Sequence, residues 1–148
     1  MKKHIFLLYS LTVLCISTTV AQTSDKIPAV VKTEFDKRYP NQEVAWSKEK
    51  RSYIARFEEH GRRDIVRFNG RGKMTQRGWY IIFSKLPEPA MVYLNKYYKE
   101  QVLTDAFKDN ILKTEYANGD IMYKVPVDSK ELIFSGKGVL TKIERQRK

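Results

Sequence analysis

One seven-residue phrase is written twice in this chain: FNGRGKM at 68–74 returns as FSGKGVL at 134–140. A recurrence at fixed spacing constrains a fold more than any composition does, because each copy has to solve the same local problem. Two glycines flanking a cation could cradle a phosphate or could make a turn twice. A phosphate cradle needs a helix N-terminus directly behind it, and here an alternating, strand-like run follows. The phrase therefore predicts a turn joining two strands, with the first glycine free to take positive φ.

The echo belongs to a longer internal match. IPAVVKTEFDKRYP (27–40) aligns with LPEPAMVYLNKYYK (86–99), and WSKEKRSYIARF (46–57) aligns with YANGDIMYKVPV (116–127). The offsets differ, so the second copy carries an insertion, KEQVLTDAFKDN, after its helix and a shorter middle hairpin. In the first helix Ile27, Val30, Val31, Phe35 and Tyr39 share one stripe; Leu86, Ala90, Leu94, Tyr97 and Tyr98 repeat it. Within the insertion, Val102, Leu103, Ala106 and Phe107 return at helical spacing. Alternation then gives packed strand faces at Val44 and Trp46; Tyr53, Ala55 and Phe57; Val66 and Phe68; Met74. In the second copy they fall at Thr114 and Tyr116; Tyr123, Val125 and Val127; Leu132 and Phe134; Leu140. ANGD (117–120) predicts a tight hairpin. Pro126 is awkward within an inner strand, where its missing N–H is costly. The expected fold class is α+β, two tandem repeats at 22–83 and 84–148, each a helix followed by a four-stranded antiparallel meander packed on it.

The start of the chain reads differently. MKKH is cationic, IFLLYSLTVLCI is apolar but too short to span a bilayer, and small residues around Ala21 complete the layout of a cleaved signal peptide over 1–21. Export to the periplasm or medium follows. Of the 148 residues, Cys15 is the one cysteine, and it would leave with the signal. A mature chain would then hold no disulfide, thiol nucleophile or cysteine metal site. His60 would be its sole histidine, and EEHGRR places it in a hairpin loop without the helical spacing of a zinc motif. No cofactor and no metal site is expected, and nothing supplies a positioned base for nucleophilic catalysis.

Charge needs separate weighing. Removing the signal lowers Lys plus Arg from 28 to 26 against 17 acids, leaving +9. Arg62, Arg63, Arg67, Arg71, Lys73 and Arg77 crowd the third and fourth strands of the first copy. Such a stripe could meet anionic lipid or glycan at an envelope. No nucleic-acid module accompanies it, and export argues against nucleic acid as a partner. The residues that alternate with the packed ones supply a second surface: Ile54, Arg56, Ile65, Arg67 and Arg77, then Met122, Lys124, Ile133 and Ile143. Trp79 stands at the junction between copies. Aliphatic area mixed with arginine has the composition of an interface centre. Packing of the two sheets on each other is the alternative use of those residues.

The helix pattern, the strand aromatic, Y-x-A-x-F and F-x-G-[K/R]-G together resemble the PepSY-like, β-lactamase-inhibitor-like family of exported bacterial proteins, over residues 26 to 145. The resemblance implies tandem helix-plus-sheet units, no enzymatic activity, and an open sheet face that grips a partner. The insertion and Pro126 depart from the family's pattern. The function expected from these readings is an exported, non-enzymatic protein-binding module, with inhibition of a hydrolase or peptidase as one form of it. The alternative is an envelope-associated module that binds anionic lipid or glycan through the basic stripe. Neither the partner's identity nor the oligomeric state is legible.

Overall fold

A computed structural model describes residues 27–102 and 110–145 of the chain. The expected signal peptide and residues 103–109 of the insertion lie outside the described residues. In chain order the elements are α1 (Ala29–Arg38), β1 (Val44–Glu49), β2 (Ser52–Glu59), β3 (Arg62–Asn69) and β4 (Met74–Ile81). After a 3₁₀ turn at Phe83–Lys85 come α2 (Glu88–Tyr97), α3 (Lys99–Val102), β5 (Ile111–Tyr116), β6 (Ile121–Val127), β7 (Lys130–Ser135) and β8 (Leu140–Arg145).

The strands form one antiparallel sheet in the order β1-β2-β3-β4-β5-β6-β7-β8. This overturns the expected fold class. The chain is not two helix-plus-four-strand repeats with a sheet each, but one eight-stranded sheet, mostly strand, with short helices. The joint is β4 with β5, where six residue pairs run from Gln76↔Tyr116 to Ile81↔Ile111. Two separate sheets would leave both those edges with open rows of N–H and C=O groups, and pairing them satisfies the rows. The alternative in which two sheets stack face to face is likewise replaced by edge-to-edge continuity.

Both ten-residue helices begin on a proline-anchored turn. Pro28 accepts the amides of Val31 and Lys32, and Pro87 those of Ala90 and Met91. A proline fits there because an N–H at that position would have no helical partner. Glu34 pairs with Lys37 and Arg38 at one-turn spacing, 2.9 and 2.8 Å. Those cations also lie in the last turn, where the helix dipole favours positive charge. Tyr39 closes α1 by donating its amide to Phe35, and Tyr98 closes α2 by donating to Leu94.

The helices lie on one face of the sheet over separate clusters. Val31 and Phe35 pack with Ala55, Phe57, Val66 and Phe68; Ala90 and Leu94 pack with Ile111, Tyr123, Val125, Leu132 and Phe134. Phe35 meets Trp46 and Phe57 edge-on at ring separations of 5.3 and 5.1 Å. Each fully buried aliphatic or Phe side chain contributes roughly 1.5–3 kcal/mol of transfer free energy. Val30 and Tyr97, expected on the stripes, are exposed instead.

The echo is a turn used twice. Asn69 donates its amide to Lys73 and Gly72 donates to Asn69; Ser135 and Gly138 repeat both bonds with Val139 and Ser135. A three-residue loop ending in a left-handed residue has this pattern. That residue is the second glycine of each phrase, not the first as the sequence suggested: Gly72 and Gly138 have φ of +79 and +80°. Each also lies under a helix, Gly72 against Val30 and Glu34, Gly138 against Pro87 and Ala90. ANGD makes the same turn, with Gly119 at φ +89° and Tyr116 donating to Asp120.

Directly behind each echo turn the strand register shifts, between Arg67 and Phe68 on β3 and between Ile133 and Phe134 on β7. The extra residue opposite is a threonine in both. Thr75 donates its hydroxyl to the Arg67 carbonyl and Thr141 donates to the Ile133 carbonyl, at 3.2 and 2.9 Å. A bulge reverses the inward–outward phase of everything beyond it. Pro126 is accommodated because it lies beyond the last β5–β6 pair, Leu112↔Lys124, where a missing donor costs little.

Candidate functional site

Following the register across the sheet defines the face turned away from α1 and α2. One row crosses seven strands: Ala45, Arg56, Ile65, Gly78, Thr114, Met122 and Ser135 stand opposite one another in sequence. A second runs Ser47, Ile54, Arg67, Gln76 and Tyr116. A third runs Tyr80, Leu112, Lys124, Ile133 and Lys142. The long row dips at its middle, where Gly78 has no side chain and Thr114 a short one. Both are buried, and the Thr114 hydroxyl has no hydrogen-bond partner. A Cβ on Gly78 would lie 3.1 Å from Leu112 Cδ1 and from the Lys113 carbonyl.

Seven of the residues expected on this face are on it: Ile54, Arg56, Ile65, Arg67, Met122, Lys124 and Ile133. They divide by burial. Ile54 and Ile133 are 1% and 7% exposed, so they support the face from within, while Arg56 is exposed and the others are half-buried. Arg77 and Ile143 are on the opposite, helix-bearing face, opposite Val66 and Leu132 respectively. Both lie beyond a bulge, and the phase reversal explains both displacements. Thr114 and Tyr116 move the other way: expected beneath α2, they stand opposite Gly78 and Gln76 on the helix-free face. Gly78, Leu112 and Tyr80 also belong to this face; β4–β5 pairing puts them there, and no local pattern marks it.

The charges of the helix-free face are mostly paired. Arg67 meets Glu49 at 3.0 Å, and Arg56 donates to the Ser47 hydroxyl at 2.6 Å with Glu49 3.8 Å away. Lys124 meets Glu131 at 2.9 Å. Burial alone would lower the Lys124 pKa, but the Glu131 hydrogen bond and the charges of Glu131 and Glu144 more than offset it and hold the ammonium above its usual value.

Trp79 is not in a connection but inside β4, opposite Asp64 and Lys113 on the helix-bearing face. It lies in the gap between the two apolar clusters, where a polar network takes over. Asp64 is buried and accepts Arg62 through both oxygens at 2.7 and 2.9 Å, and Arg77 at 3.2 Å. Arg77 also reaches Glu59 at 3.1 Å. Arg62, Arg77 and Lys113 stand over the Trp79 ring at 5.2, 5.4 and 4.6 Å. Charge-assisted bonds and cation–π contacts offset the cost of burying these groups, while the Arg77 Nε itself has no hydrogen-bond partner. The Asp64 bond raises the Arg62 pKa further above its ordinary value, and burial raises that of the Tyr39 phenol nearby. An open groove of about 400 Å³ runs beside Trp79, lined also by Lys85, Ile81 and Tyr123.

The expected basic stripe does not survive this geometry as one surface. Arg62 and Arg77 are tied to Asp64 and Glu59 on the helix side, and Arg67 is tied to Glu49 on the other. His60 is exposed in the two-residue turn before β3, at φ +52°. No helix among the described residues is long and apolar enough to cross a membrane.

Neither a family model nor a curated protein matches the sequence. Solved structures do match the fold. A DUF2874 family protein from Bacteroides ovatus is 25% identical, with a TM-score of 0.63, over 82% of this chain and 89% of that one. A candidate periplasmic protein from Bacteroides eggerthii is 16% identical with a TM-score of 0.65, over 80% and 88%. A BLIP-like protein from Bacteroides fragilis is 19% identical with a TM-score of 0.58, over 80% and 85%. The chain thus has a BLIP-like fold, one antiparallel sheet with helices on one side, and none of these three similar structures is named as an enzyme.

Proposed function

We propose that this chain is an exported, non-enzymatic module that docks a protein partner on the helix-free face of its sheet. The observation that carries the reading is the composition of that face. Ile65, Met122, Leu112 and Tyr116 provide apolar area, Arg56 and Arg67 stand among them, and both ten-residue helices lie on the other side. Aromatic, Met and Arg side chains at a depressed centre are where interfaces concentrate binding energy. The names of the BLIP-like and candidate periplasmic neighbours agree with an exported binder, and inhibition of a hydrolase or peptidase is the form of binding that fits a BLIP-like fold.

The test is a binding measurement with a purified partner, identified first by affinity capture from envelope and medium fractions and mass spectrometry. Arg67→Glu and Met122→Asp should each weaken binding at least tenfold, while Lys32→Glu on the outer side of α1 leaves it unchanged. Ile54 is too deeply buried to serve as a probe, since a charge there would unfold the sheet. Unchanged affinity in both face variants, with unchanged melting temperature, removes the face from the interface. Binding to anionic vesicles that disappears with added salt, in place of any protein complex, would favour the lipid reading instead.

A further inference from the structure

Among the described residues the sheet ends at two edges, β1 and β8, and β8 is built like a strand the molecule already pairs. Its turn, its bulge and the threonine bond behind the bulge are those of β4, with Thr141 where β4 has Thr75 and Ile143 where it has Arg77. In β4 the outer side of this arrangement is fully used. The Thr75 carbonyl accepts the Ala117 amide at 3.0 Å, and residues 76–81 pair with β5. On β8 the same outer side is the end of the sheet. The bulge therefore does not bend this edge out of reach of a partner strand. No proline interrupts it, and Ile143 is 49% exposed on it. Edges of this kind are templates for another chain unless something blunts them.

The side chains indicate which chain. Lys142 and Glu144 flank Ile143, share the helix-free face, and are ion-paired with each other along the strand. An antiparallel β8–β8 pair with its two-fold axis at Ile143 sets Ile143 opposite its own copy, Lys142 opposite Glu144, and Thr141 opposite Arg145. Both cross-strand charge pairs are then attractive, and the exposed isoleucines cover each other. On β1 the neighbouring charges Lys48 and Glu49 point to opposite faces, so no such axis brings them together. We propose that β8 pairs with β8 of a second copy, extending the sheet through an isologous contact. The axis is perpendicular to the sheet, so the helix-free faces of the two copies lie on the same side. A β8 contact leaves the rows around Gly78 open, and the dimer stands or falls separately from the docking reading.

Sedimentation velocity on the purified protein without a C-terminal tag tests this. The concentration series should reach about 0.5 mM, because an edge contact below roughly 1,200 Å² is weak. The wild type is expected to move from monomer to dimer. Lys142→Glu sets Glu against Glu twice and Glu144→Lys sets Lys against Lys twice, so each should weaken association about tenfold or more. The double swap Lys142→Glu/Glu144→Lys restores attraction and should restore the dimer, with circular dichroism confirming folding throughout. A monomer across the whole series, a dimer indifferent to both single changes, or loss without rescue in the double swap overturns the proposal.

Discussion

Gly138 shows how much one missing side chain supports. Its φ is +80°, and a Cβ there would lie 2.9 Å from Pro87 Cβ and 3.0 Å from the Ala90 amide nitrogen, at the start of α2. Left-handed strain costs an ordinary residue roughly 1–2 kcal/mol, and forcing the helix outward adds about 1–3 kcal/mol. Gly119 has nearly the same φ but nothing within 4 Å. Thermal melts should therefore separate the two: Gly138→Ala loses about 2–5 kcal/mol, Gly119→Ala about 1–2 kcal/mol. Equal losses would mean that the helix does not rest on the echo turn. The glycines themselves are legible in the sequence. Which of the two takes positive φ is not, because that is set by where the strands close the loop: the left-handed residue is the third of the three, as it is at Gly119 with no helix nearby.

Among elements, the bulges decide which readings hold. On β1–β3 and on β6–β7, ahead of each bulge, alternation assigns faces correctly: in the first half Ala55, Phe57, Val66 and Phe68 point to α1, and Ile54, Arg56, Ile65 and Arg67 point away. Beyond it the phase turns over, and Arg77 and Ile143 change faces. The bulged Thr75 and Thr141 look like any other strand residue, so the sequence carries no mark of the reversal. In the second half the insertion and a longer β5–β6 hairpin hide the register as well; Ile111, opposite no expected partner, fills the core position that Tyr116 was expected to fill. The energetic consequence is measurable by denaturant unfolding. Phe68→Ala and Phe134→Ala, both fully buried, should cost about 3–5 kcal/mol each. Tyr116→Ala, half-buried on the helix-free face, should cost well under half of that. A Tyr116→Ala loss as large as that of Phe134→Ala would put Tyr116 back under α2.

At the scale of the molecule, the two apolar clusters share one backbone ladder. Local periodicity shows helices and strands but is silent about which edge meets which, so β4–β5 pairing is beyond its reach. That pairing creates the seven-strand row with Gly78 and Thr114 at its centre, and the docking proposal rests on that row. It also sets Lys113 beside the Asp64, Arg62, Arg77 and Trp79 of β3 and β4, between the clusters. Amide hydrogen exchange along β4 and β5 tests this continuity most directly, because only a paired seam protects both strands. The structure predicts that the ladder amides of residues 76–81 and 111–116 exchange as slowly as those of β2 and β3. Protection that stops at β4 and resumes at β6, with the β4 and β5 amides exchanging like free edges, would contradict it.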